Sequence, residues 1–109
     1  MNDSATQARQ HFLDLLFSML DGRLSYFEGA AQVLNIDRRL LGIPERDTDF
    51  EKFVLIRSET DHLPLRQQQS LWSADALEKL RGEFAQTEEW AKTFAPEACN
   101  NLIARLKKG

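Results

Sequence analysis

A chain of 109 residues, 42% hydrophobic and 28% charged, has the composition of one ordinary globular domain spanning residues 1–109. That size supports a hydrophobic core without disulfides or metals, and the composition argues against a disordered or membrane-embedded chain. The net charge is −3, and Lys and Arg are scattered rather than gathered into a stripe, which argues against nucleic-acid binding.

The helical period runs through most of the chain. A first helix is expected from the cap residue Ser4 to about Asp21, with Phe12, Leu13, Leu16 and Leu20 on a wide apolar face and Gly22 as its left-handed end. Asp14 and Ser18 interrupt this apolar stretch, and it lacks a basic start and a small-residue cleavage site, so it does not read as a signal peptide. No segment has the length of a membrane span, and a cytoplasmic location is expected. Ser25-Tyr26-Phe27-Glu28 spells a capping box, in which Ser25 accepts from the Glu28 amide and the Glu28 carboxylate reaches back. The second helix then runs to about Leu34, and Gly29 is small enough to admit a neighbouring helix. A short helix from Arg38 to Leu41 is expected before Gly42.

Thr48-Asp49-Phe50-Glu51 offers another capping box. Phe50, Phe53, Val54 and Arg57 share a helical stripe, although Phe53-Val54-Leu55-Ile56 also has the composition of a buried strand. No partner strand is apparent, which favours the helix. Pro64 disfavours helical geometry at Leu63, so this helix ends ahead of it. Arg66 to Leu71 reads as a short helix. Ser73 caps a longer one that carries Leu77, Leu80, Phe84, Ala91 and Phe94 at helical spacing. Pro96 suits the first position of a last helix, whose core stripe is Leu102, Ile103 and Leu106. The expected fold is all-α, a compact single-domain bundle of five to seven helices.

Cys99 is the only cysteine. It excludes an internal disulfide, cannot build a zinc site alone, and reads as a small core hydrophobe. Chemistry-bearing groups crowd at one place, Ser58-Glu59-Thr60-Asp61-His62-Leu63-Pro64. A nucleophilic serine there needs His62 in reach, an orienting acid and an oxyanion hole, and no Gly-rich turn supplies the hole. Glu59 and Asp61 have no facing acidic pair for acid–base work. The only other histidine is His11, and neither the EF-hand spacing nor His-Glu-x-x-His is present. No catalytic residue, metal site or cofactor is therefore assigned.

Ser, Thr and Asp bond nearby backbone and end helices, so the stretch reads as a rigid corner that can also face a partner. The charge beside it is uneven. From Glu45 to Asp61 there are six acids and three bases, an excess as large as that of the whole chain. This is either a solvated loop and helix end or a face for a basic partner. Trp90 reads as core or core edge. Trp72 either packs beneath the corner or stands exposed as a binding anchor.

The segment from Asp47 to Trp72 resembles a family of small, mostly uncharacterised bacterial helical proteins with a Ser-Glu-Thr-Asp-x-Leu-Pro motif. Asp49-Phe50, Phe53-Val54, the heptapeptide 58–64, Trp72 and Ala76-Leu77 carry the likeness, together with Trp90-Ala91 and Cys99-Asn100-Asn101-Leu102-Ile103. It extends from about Leu20 to Leu106. Arg66 departs from it, standing where a glycine is common in the family. Small helical proteins of this kind look like immunity proteins of bacterial toxin systems, including contact-dependent inhibition. The resemblance implies a protein that binds a toxin domain and blocks its active site without catalysis of its own. On that reading the partner is a basic toxin domain. The binding face comprises Asp47, Asp49, Glu59 and Asp61, with His62 and Trp72 near its edge. Two other readings stay open, a small hydrolase using Asp61 and His62, and a helical subunit that oligomerises through an apolar patch on its first helix. The sequence does not specify the oligomeric state.

Overall fold

Phe12, Leu15, Leu16 and Met19 are buried at helical spacing along α1 (Asp3–Leu20). Burial of this stripe fixes the helix, because an isolated helix of this length is marginal in water. These and the elements below come from a computed structural model that describes residues 3–44 and 46–108. Glu45, the first acid of the uneven run, lies outside the described residues.

Gly22 turns the chain at a φ of 86°. At the start of α2 (Tyr26–Leu34), the Ser25 side chain accepts from the Glu28 amide at 3.0 Å, half of the expected capping box. The other half is not formed. The Glu28 carboxylate accepts instead from the Arg66 amide at 2.8 Å. A distant carboxylate, Glu88, takes the Tyr26 amide at 2.7 Å. Gly29 lets α1 approach α2, since a Cβ built there would stand 2.2 Å from the Met19 Sδ. α3 (Arg38–Leu41) starts on Asp37, which accepts from the Arg39 amide, and ends on the left-handed Gly42.

In α4 (Thr48–Glu59) the cap is Asp47, one residue ahead of the Thr48 expected from the sequence. Its carboxylate accepts from the Phe50 amide at 3.0 Å. The run Phe53-Val54-Leu55-Ile56 is helical, and its phase differs from the expected one. Phe50, Phe53 and Ile56 are buried, while Val54 and Leu55 are exposed. Four consecutive apolar residues leave the inward face ambiguous, and packing against α2 and α6 selects it.

Past Glu59 the buried Thr60 hydroxyl donates to the Ile56 carbonyl at 2.6 Å. The Leu63 amide donates to the Thr60 carbonyl at 3.0 Å. Leu63 and Pro64 are buried, and the chain continues as a 3-10 helix over Arg66–Leu71.

Ser73 caps α5 (Ala74–Ala91), accepting from the Ala76 amide. This helix lies against α2, where Phe84 meets Phe27 edge-on at 5.5 Å. Only Ala91 along it is buried, and Leu77, Leu80 and Phe84 are half-buried. In α6 (Ala95–Lys108), Ala95, Ala98, Cys99, Leu102 and Ile103 are buried against α1 and α4. Pro96 occupies the second helical position rather than the first, still within the turn where its missing amide costs nothing.

Among the described residues there are six α-helices, one 3-10 helix and no strand, so the chain is the expected all-α bundle. No helix is long and apolar enough to cross a membrane.

Cys99 lies in the core, and burial pushes its thiol up to about 12. The thiolate is the reactive form, so native Cys99 is expected to resist a thiol reagent at pH 8 that labels the guanidinium-unfolded chain to completion. Equal labelling rates for native and unfolded protein would contradict that placement.

Candidate protein-binding site

The acidic residues of α4 divide between its two ends. Asp47 and Asp49 sit at the start of the helix, and Glu59 and Asp61 lie at its end, ~18 Å further along at 1.5 Å per residue. Asp47 is buried. Arg105 of α6 donates to it through both terminal nitrogens, at 2.5 and 2.8 Å. These bonds, with the Phe50 amide, hold the Asp47 carboxyl below the usual range despite its burial. Asp49 accepts from the Asn101 side chain at 3.0 Å and stands 3.5 Å from Arg105.

Asp47 and Asp49 therefore join α4 to α6. The acidic residues expected as one face divide between two settings: Arg105 pairs with Asp47 and Asp49 at one end of α4, and Glu59 and Asp61 are exposed at the other.

At the far end, Ser58, Glu59, Asp61 and His62 are exposed around the buried Thr60, Leu63 and Pro64. His62 Nε2 bonds Glu83 Oε1 of α5, so the imidazole ties the corner to that helix. A cleft of about 260 Å³ opens beside this tie, lined by Glu59, Thr60, Glu83, Gln86, Thr87 and Trp90. The Trp90 ring is 36% exposed and meets Phe94 edge-on at 5.0 Å. This places Trp90 at the surface margin of the core. Two carboxylates and an indole thus share one concavity, with no Lys or Arg in its lining.

Trp72 does not join them. It is exposed beside the more exposed Leu71, ahead of the first turn of α5. Trp90 lies in the last turn, ~25 Å away along the helix. The aromatic residue beside Glu59 is therefore Trp90.

The sequence sets Trp90, four residues before Phe94, at the core or its edge and singles out no role for Glu83. A usable signal is present. Glu83, Gln86, Thr87 and Trp90 follow the i, i+3, i+4, i+7 spacing of one helix face, and three of the four are polar.

Among the described residues, no group of three or more His, Cys, Asp or Glu side chains is placed to hold a metal ion. Comparison of the chain with protein-family models, with curated proteins and with solved structures gives no match.

Proposed function

We propose that this protein is a binding module of the immunity type, which in the bacterial cytoplasm seats itself on a toxin domain and blocks its active site. One observation carries the reading. The partly exposed Trp90 sits in a concave site between Glu59 and Glu83, at a corner held by its own hydrogen bonds.

An aromatic ring buried on association supplies a large share of binding energy. Carboxylates around it steer a basic partner and exclude an acidic one. The corner adds rigidity, because Thr60 and Leu63 tie it to the end of α4, and a preordered surface loses less entropy on binding. Asp61 and His62 extend the surface beyond the cleft.

Glu59 and Asp61 are exposed, so reversing both charges leaves the core untouched. Co-expression with a toxin domain, sought first among the neighbouring genes, tests the function. The wild-type chain is expected to co-purify with that domain and protect the host. The Glu59→Lys/Asp61→Lys variant is expected to bind at least about tenfold more weakly, mainly through slower association, with an unchanged melting temperature. Unchanged affinity in the folded variant would remove this surface. A wild-type chain that neither binds nor protects would remove the function.

A further inference from the structure

Three phenylalanine rings of this molecule carry cations from the same chain. Arg38 lies over Phe50 at 5.1 Å from the ring centre, Lys107 over Phe17 at 5.2 Å and Lys52 over Phe94 at 5.9 Å. Indole attracts a cation more strongly than a phenyl ring does. Yet among the described residues no Lys or Arg stands over Trp90, although the ring is open to solvent.

The surroundings of Trp90 suit a cation as well. Glu59 and Glu83 line the same cleft. Glu59 has no ion pair among the described residues, and Glu83 meets His62 through one oxygen. Lys92, the nearest base in sequence, pairs with Glu89 at 3.7 Å. Gln86, Thr60 and Thr87 complete the lining. The volume, about 260 Å³, admits one long side chain and is too small for a helix.

We propose that the cleft receives one arginine side chain of the protein partner, its guanidinium lying on Trp90 and donating to the carboxylates of Glu59 and Glu83. Arginine fits better than lysine. Its planar head stacks on an aromatic face, its fork of N–H groups serves two carboxylates, and it is more weakly hydrated than an ammonium group. The inference rests on the protein-binding reading only in taking the arginine to come from a protein. An isolated arginine is expected to bind weakly, with a Kd on the order of 10 mM, because each contact is small in a half-open site. Within a full interface the same contact sets register and selects the partner.

The test titrates the ¹⁵N-labelled full chain with acetyl-Gly-Arg-Gly-amide, its lysine analogue and its neutral citrulline analogue. The two indole N–H signals are assigned with Trp72→Phe. The arginine peptide is expected to move the Trp90 signal saturably and leave Trp72 still. The lysine peptide should bind several-fold more weakly, and the citrulline peptide should not bind.

Glu59→Gln/Glu83→Gln, both at exposed positions, should weaken arginine binding at least about fivefold, while the amide spectrum outside the 58–64 corner and the turn of α5 that carries Glu83 overlays that of the wild type. A Trp90 signal that does not move, that moves equally with citrulline, or that titrates unchanged in the double variant overturns the proposal. Equal affinity for the lysine and arginine peptides overturns the choice of arginine. No toxin enters this experiment. A chain that binds the arginine peptide but no toxin domain refutes the toxin-blocking function alone, and a chain that binds the toxin domain but no peptide refutes the cleft alone.

Discussion

Phe53→Ala is expected to destabilise the protein by about 3–5 kcal/mol. Phe53 is fully buried in the middle of α4, which packs on α2 and α6. Truncation removes a phenyl ring from a fully buried site between packed helices, so only part of the space can close. Three of the buried residues of α2, Gly29, Ala30 and Ala31, are small and have little side chain to move inward. A domain of this size is stable by about 5–15 kcal/mol in total, so the loss is a large share. Chemical denaturation should show a lower midpoint with an unchanged slope. Val54→Ala and Leu55→Ala provide the contrast. Both side chains face solvent at about 40% exposure, and each change should stay within about 0.5 kcal/mol. Comparable losses at positions 53, 54 and 55 would contradict the helix phase.

Asp47→Ala is expected to destabilise the protein by about 1–3 kcal/mol. Loss of the α4 cap accounts for about 0.5–2 kcal/mol of this. The remainder comes from the two bonds to Arg105, discounted because Arg105 lies largely at the surface and can turn to water. Asp47→Asn retains an acceptor for the Phe50 amide and loses the ion pair, so it separates the two contributions.

The ion pair also predicts a pH dependence. Arg105 first, and the Phe50 amide after it, hold the folded carboxyl below its ordinary value. The stabilisation is therefore complete above the unfolded value near pH 4 and is lost as pH falls through the folded one. Asp37, beside Arg39, is shifted in the same direction, so the wild type alone does not isolate Asp47. The difference between wild type and Asp47→Asn, followed by denaturation from pH 7 to pH 2, does. That difference should be constant at neutral pH and shrink below about pH 4. A gap that persists unchanged to pH 2 would contradict the assignment.

The features legible in the sequence are those that local bonds decide. Ser25 and Ser73 each accept from the amide three residues onward, and both helix starts are readable in the sequence for that reason. Asp47 and Thr48 can both cap a helix. Arg105, 58 residues away, helps to decide between them, and periodicity carries no trace of it. The exposed polar side chains of the 58–64 corner follow from the same local logic as its buried Thr60 and Pro64. The cleft beside it was illegible because it depends on which turn of α5 comes to rest there. Asp47 and Trp72 looked like neighbours of that corner in sequence, and helix lengths carry them to other parts of the molecule.

The carboxylate of Glu88 spans 62 residues to hold the first turn of α2. Chain order then constrains the order of folding. Residues of α1 to α4 are synthesised before Glu88. A nine-residue helix is marginal alone, so α2 can be nucleated by Ser25 but not completed at its start. Its amide ends consolidate only when α5 arrives, after a long loop has closed. The first turn of α2 is therefore completed by a residue that is made only after α3 and α4.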